Sequence, residues 1–502
     1  MLTRRAFLST SAGVVAAAAL SHRRALAEIP PFETPLPIPE LMDARTMGGA
    51  LKLTAARGRH AFLAGKPTDT YGFSAPYLGP VLRLRRGEDV EITVENKLQM
   101  ATSSHWHGLL VPAAVDGGPH RPISPGYVWR PVLKIDQPET TAWFHAHPHL
   151  DTGRQVYMGL VGLIIVEDGT GERLGLPRNY GVDDFPIILQ DRQLDNNGAL
   201  VYRASGPSRM TGMRGDTITV NGAITPVVNV PPGFVRLRIL NAANARNFDL
   251  RFADGRSFQV IASDSGYLSA PVAMTALTIS PGERFEVLVD FADGKPVVLE
   301  TGADNRLMMG GGMMGGGMMG GGMMGMMDVS PAGSIMRFDV HPLKAASVTL
   351  APKALVALTE SDPGKAVQRR RFSLDMGPGM MGRGGMGGGM GMGASFGING
   401  RPFAMDRIDA APKLGTSEIW EVVPSMMAHP FHIHGVIFRV LSLGGRTPPA
   451  HLAGGKDTIL LDGPAELLLN FTQPATPESP FMFHCHILEH EDGGLMAQYR
   501  TI

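Results

Sequence analysis

The sequence predicts an all-β chain of three Greek-key β-sandwich domains in tandem. Apolar and polar residues alternate along it, as in Val90-Glu91-Ile92-Thr93-Val94 and Val235-Arg236-Leu237-Arg238-Ile239, the period of two expected of a strand. Turn signals recur at short intervals, as in an array of sandwiches or barrels, and helix should be minor. The chain also repeats itself at domain scale. Pro138-Glu139-Thr140-Thr141-Ala142-Trp143-Phe144-His145-Ala146-His147 parallels Pro477-Glu478-Ser479-Pro480-Phe481-Met482-Phe483-His484-Cys485-His486, with Ala146 where the cysteine stands. Ser280-Pro281-Gly282 echoes Ser124-Pro125-Gly126, and Val220-Asn221-Gly222 echoes Ile398-Asn399-Gly400. A length of 502 residues suits two to four domains.

In chain order, residues 1–27 read as a secretory leader. Thr3-Arg4-Arg5-Ala6-Phe7-Leu8 matches a twin-arginine signal, Ala12 to Leu20 is too short to span a bilayer, and Ala25-Leu26-Ala27 offers a cleavage site. A periplasmic location follows, with no membrane anchor once the leader is removed. The first domain, 28–170, carries His105-Trp106-His107-Gly108 and His145-Ala146-His147. The second, 171–345, has Asn247-Phe248-Asp249-Leu250 where its neighbours place histidines, and is read as a metal-free spacer. The third, 346–502, carries His429-Pro430-Phe431-His432-Ile433-His434 and His484-Cys485-His486-Ile487-Leu488-Glu489-His490.

The last motif holds the only cysteine of the chain, so no intramolecular disulfide can form. On a strand, neighbouring side chains point to opposite faces. Cys485 can therefore serve one metal site while His484 and His486 serve another. Imidazole suits copper, zinc, iron and nickel, and a His₂Cys set with a weak axial partner is the blue-copper arrangement.

These four motifs resemble the signature of the multicopper oxidases, over nearly all of the chain after the leader. The resemblance implies cupredoxin-like domains and four copper ions. It implies a type 1 copper on His429, Cys485 and His490, a type 2 copper on His105 and His432, and a type 3 pair on His107, His145, His147, His434, His484 and His486. The last three ions would form a trinuclear cluster, between the first and third domains, that reduces O₂ to water. By the family's spacing Leu495 takes the axial position of the type 1 site, with Met496 as the alternative. Asp116 and Glu491 fall where the family places proton donors, and O₂ reduction consumes protons that a nearby carboxylate must deliver.

Two methionine–glycine stretches interrupt the globular pattern, at 308–327 and 376–392. So much glycine offers little burial to offset ordering entropy, so both are expected to be mobile loops without a core role. Thioether sulfur selects Cu(I), which makes Met376, Met380, Met381, Met386, Met390, Met392 and the nearby Met427 candidate substrate ligands. The second stretch lies where bacterial copper-efflux oxidases carry a methionine-rich insert. Those enzymes place an acidic residue shortly before the type 1 histidine, where this chain has Ser425.

Lys+Arg and Asp+Glu balance at 46 each. The leader takes four arginines and no acid, leaving the mature chain mildly acidic. Without a basic, aromatic-interleaved patch no nucleic-acid partner is expected. The expected protein is a monomeric periplasmic oxidase that passes electrons from Cu(I) to O₂. The alternatives are a laccase-like oxidase of phenols and aromatic amines, and a copper buffer without turnover. Some relatives of the resembled family are structural division proteins without copper, but that reading predicts missing ligands, and none is missing here.

Overall fold

The computed structural model describes residues 31–205, 207–304, 330–341, 348–358, 362–378 and 394–502. The leader, the stretch 308–327 and Met380, Met381, Met386, Met390 and Met392 lie outside the described residues.

Six sheets pair into three sandwiches. In the first, strands Leu41–Asp43, Val81–Arg85, Val161–Glu167 and Thr140–His145 form one sheet. Lys66–Phe73, Ala50–Leu63, Asp89–Asn96 and Val128–Trp129 form the other. Their inner faces meet in one core, with Leu51, Leu53, Ile92 and Val94 against Leu82, Leu84, Phe144 and Ile164. Along Asp89–Asn96 the alternation holds, with Val90, Ile92 and Val94 buried and Glu91 exposed.

The middle sandwich has a seven-stranded sheet running from Ala223–Ile224 to Gly266–Met274 and a five-stranded one from Val227–Val230 to Leu277–Ile279. Here the second alternating segment behaves differently. Phe234–Asn241 is a strand, but both of its faces are buried. Arg236 and Arg238 do not reach solvent; they pair with Glu286 and Asp184, and Arg238 also bonds Thr141 of the first sandwich. The charged face of this strand is thus an interface between domains, and its buried charges are held by paired carboxylates.

In the third sandwich Ala394–Ile398, Gln368–Pro378, Ser417–Pro424, Ala465–Asn470 and Ile437–Leu443 form one sheet. Thr458–Leu461, His429–Ile433, Phe481–Cys485 and Met496–Tyr499 form the other. The repeated Asn-Gly turns are equivalent. Asn221 and Asn399 both take positive φ, at 51° and 52°, and each side chain accepts an amide from a neighbouring strand, Ile188 or Ser373. Asn tolerates this left-handed conformation.

Met376 departs from the expected loop. It is paired opposite Phe396 and buried in the core. Met427 is also buried in that core. Packing against the third core, in a strand for Met376 and in the bend before His429 for Met427, governs the two side chains rather than a glycine-rich environment.

Trp420 anchors the third core, fully buried with ring centres 4.7 Å from Phe372 and 5.1 Å from Phe483. Its indole donates to Glu418 at 2.9 Å. Trp420→Ala should cost about 3–5 kcal/mol, read as an earlier urea transition of this domain. An unchanged midpoint would mean that the core collapses around the gap.

Candidate metal centre

Strand parity sets the site. In the ladder of the third sandwich Phe431 lies opposite Cys485 and His432 opposite His484. Residues directly opposite share a face. His429, two residues before Phe431, is therefore on the cysteine's face, and His432 is on that of His484. On the other side of Phe481–Cys485, His484 lies opposite Met496. The Cys485 amide bonds the Leu495 carbonyl at 3.1 Å. Leu495 is thus on the cysteine's face, while Met496 is on the histidines' face. In the first sandwich His105 and His145 form an antiparallel bridge, which brings the two His-x-His pairs together.

Two clusters result. In the first, the Cys485 sulfur is 3.3 Å from His429 Nδ1 and 3.6 Å from His490 Nδ1, all three residues buried. The outer ring nitrogens are fixed by backbone carbonyls, His429 Nε2 on Ser425 at 3.1 Å and His490 Nε2 on Met210 at 3.0 Å. Phe396 stacks on His490 at 4.9 Å. Burial pushes the Cys485 thiol up, while the Ile487 amide, 3.3 Å from the sulfur, opposes this. A bound cation would make this buried sulfur a thiolate.

The second cluster gathers His105, His107, His145 and His147 from the first sandwich and His432, His434, His484 and His486 from the third. All eight are buried. His147 and His484 approach through Nε2 at 3.4 Å, and His434 and His484 at 3.2 Å. Nε2 of His105, His145 and His432, Nδ1 of His107 and His147, and both nitrogens of His486 have no hydrogen-bond partner among the described residues. A buried polar group left so costs about 1–3 kcal/mol. Several imidazoles orphaned in one small volume are the signature of a metal cradle. The same volume offers triads with ligand atoms within 4.8 Å of one another, such as His147, His434 and His484.

Outward nitrogens are held from behind, as metal-ligating imidazoles require. Asp116 Oδ2 lies 2.8 Å from His434 Nδ1 and 3.2 Å from His105 Nδ1. Glu491 lies 3.2 Å from Nδ1 of both His147 and His484. Both carboxylates are buried, so Glu491 is no surface charge. A third acid, Asp457, was not found by sequence reasoning. Its carboxylate is 3.0 Å from His107 Nε2, and its carbonyl accepts from His432 Nδ1 at 2.8 Å. Each of the three acids thus touches one histidine of the first sandwich and one of the third. Asp457 sits in Lys456-Asp457-Thr458, outside every histidine motif, and carries no local signal.

Desolvation keeps the imidazoles neutral and ready to bind. It lowers His107, His145, His147, His432, His434, His484, His486 and His490, and takes His429 down to about 4.

A sheet-built fold with a His₂Cys trio beside an eight-histidine cradle presents a donor set suited to copper. Multicopper oxidase family models match residues 54–171, 183–297 and 376–502. The cell division protein FtsP of Salmonella typhimurium is 37% identical over 496 residues, covering 99% of this chain and 98% of that protein. The laccase-like multicopper oxidase CueO of Ochrobactrum sp., described as active on lignin model compounds and lignosulfonate, is 42% identical with a TM-score of 0.83, over 93% of this chain and 100% of that one. A Campylobacter jejuni multicopper oxidase, described as a metallo-oxidase, is 26% identical with a TM-score of 0.78, over 95% of this chain and 96% of that one. The chain belongs to the multicopper oxidases, with three cupredoxin-like domains.

The lowered histidines have a consequence for the metal-free protein. A base whose pKa falls on folding binds more protons when unfolded, so its contribution is complete above about pH 6.5 and is lost as pH falls below it. Buried acids raised on folding, Asp191, Asp264, Glu489, Glu491 and Asp492, act in the opposite sense but are fewer than the nine histidines. The metal-free protein should therefore melt at a lower temperature at pH 5.5 than at pH 7.5. Copper loading should shrink that difference, as calorimetry can check.

Proposed function

We propose that this oxidase takes electrons singly from Cu(I) at the Cys485 centre and passes four of them to O₂ at the histidine cluster. It would work in the periplasm as a monomer, after export by the twin-arginine route. The observation that carries the catalytic reading is the cradle of partnerless imidazole nitrogens joined to Cys485 through His484 and His486. Copper bound at the two centres would supply the one-electron couples and the place where O₂ becomes water. On this reading His429, Cys485 and His490 would hold the type 1 ion, with Leu495 on the same face of the ladder. His105 and His432 would hold the type 2 ion, and His107, His145, His147, His434, His484 and His486 would hold the type 3 pair.

The chain's own residues divide the remaining work. Cys485 and its two neighbours give a short covalent route between the centres. Asp116, beside His105 and His434, and Glu491, beside His147 and His484, would hold protons for the cluster. Burial holds the Glu491 carboxyl well above the usual carboxylate range, which favours its protonated form. All eleven proposed ligand side chains are buried, in segments that the sandwich cores fix, which keeps the cradle preorganised.

The Cu(I) part of the proposal rests on the methionine–glycine stretches and on Met426, half exposed beside the segment that covers His429. A phenol-oxidising reading is favoured by the activity described for the Ochrobactrum relative and by the aromatic face of Phe396 over His490. A division role rests on the name of the FtsP relatives. Turnover ranks above it because every ligand position is filled.

Pro378 and Ala394 face each other in the ladder, so residues 379–393 can be replaced by a two-residue Asn-Gly turn. The copper-loaded chain should consume O₂ faster with stabilised Cu(I) than with a phenol, and the shortened chain should lose the Cu(I) advantage. Preference for the phenol, kept or raised after shortening, would make it a laccase. No O₂ uptake with either donor would sink the oxidase reading.

Glu491→Gln keeps the shape but removes the exchangeable acid proton. O₂ uptake should fall about 100-fold or more, with the blue thiolate-to-copper absorption unchanged. A wild-type rate would remove Glu491 from proton delivery.

A further inference from the structure

Among the described residues the middle domain adds no side chain to the two clusters, yet its 280–284 turn reaches the histidine cluster. Arg284, fully buried, lies where the three domains meet. Its guanidinium donates to Thr141 O in the first domain at 3.1 Å, to Asp264 O in its own at 2.8 Å, and to both carboxylate oxygens of Asp457 in the third at 2.7 and 2.6 Å. A bidentate Arg–carboxylate pair fixes the plane of the acid as well as its charge. Asp457 is also tied from behind. Its amide and that of Thr458 point at Asp264 Oδ2, at 3.3 and 3.2 Å. Lys456 Nζ lies 3.0 Å from both Asp264 and Glu283.

Two glycines record how closely this assembly approaches the ligands. A Cβ on Gly282 would lie 2.9 Å from His486 Cδ2, and one on Gly108, next to His107, would lie 2.5 Å from Arg284 Nη2. Both also have positive φ, at 86° and 90°, which disfavours any side chain. The closing glycine of His-Trp-His-Gly is where the clamp passes the ligand strand.

We propose that Arg284 and Asp457 form a positioning clamp for the cluster, through which the copper-free domain sets the tautomer and orientation of His107 and the seat of His432. The Asp457 carboxylate takes the Nε2–H of His107 and leaves Nδ1 as the lone-pair nitrogen. That Nδ1 is the orphaned atom, whereas His105, His145 and His432 present Nε2. A ring nitrogen's role is set by the hydrogen bond its partner nitrogen makes. His107 and His432 stack at 3.6 Å, so one acid orients both rings, by its carboxylate and its carbonyl. The proposal rests on copper occupancy of the cluster and is independent of the electron donor.

The test compares copper-loaded wild type with Arg284→Lys and Asp457→Asn. Copper retained per chain is measured through a graded chelator series, and the blue absorption of the Cys485 site is followed in the same samples. Arg284→Lys keeps the charge but loses the two-pronged grip, so it reports on geometry if Asp457→Asn does not fold. Both variants should give up cluster copper at about tenfold lower chelator strength or less, with the blue absorption at its wild-type level. A wild-type chelator profile in the variants overturns the clamp. Parallel loss of blue absorption and cluster copper also overturns it, by making the pair a general element of the fold. Neither readout needs turnover, so a failure of the Cu(I) oxidase reading is separately visible.

Discussion

Two adjacent side chains on an extended strand must point to opposite faces, and the chemistry of this protein is arranged around that constraint at His484 and Cys485. The ladder carries it across three strands. His429, Cys485 and Leu495 fall on one face, and His432, His484 and Met496 on the other. Two centres of different composition thus share one strand and are separated by little more than a peptide unit. A slip of one residue in pairing would exchange the faces, putting His484 among the core residues around the thiol. The register is protected by Phe431, Phe483 and Trp420, whose packing is possible in only one phase.

The second requirement is electrostatic. Eight imidazoles without water cannot be buried cheaply, and the protein meets the cost from both sides. Inward nitrogens converge where cations would satisfy them. Outward nitrogens rest on carbonyls and on three acids that each straddle the first and third domains. The acids therefore join domains as well as orient rings. This explains why the middle domain retains a large buried ion network although none of its described residues joins the two clusters. Arg236, Arg238, Glu286 and Arg284 hold the surfaces against which the half-sites close.

These two requirements differ in how far a sequence reveals them. The ligands are local words of three to seven residues, and strand parity turns them into two sites before any coordinates exist. The same parity distinguishes Leu495 from Met496 once the register is known. Asp457 and Arg284 are single residues far from the motifs, and they meet His107 only because three domains close on one another. Arg284 left one trace, since the first-domain echo of its turn has Val128 at that place. The pattern around Val235 announced a strand but not that its arginine face would be buried, because alternation cannot tell solvent from a charged interface. Met376 was misread for a related reason. Composition assigned it to the glycine-rich stretch that follows, while its strand partner Phe396 lies beyond that stretch.

The donor is decided elsewhere than in the cluster. Relatives described as laccase-like and as a metallo-oxidase share this fold with the chain, so the fold and its histidine cluster carry no information about what would be oxidised. Selectivity lies in what covers the two imidazoles of the cysteine centre. The His429 edge meets the Ser425 carbonyl, next to exposed Met426, and offers oxygen and thioether to a small soft cation. The His490 edge meets the Met210 carbonyl, and the ring of Phe396 stacks on the face of that imidazole with the guanidinium of Arg209 6.0 Å from the Phe396 ring. That cation repels a bare metal ion and favours an electron-rich aromatic or an anion. The guanidinium distinguishes the two edges, and on the proposed reading a Cu(I) ion would approach at His429 rather than His490.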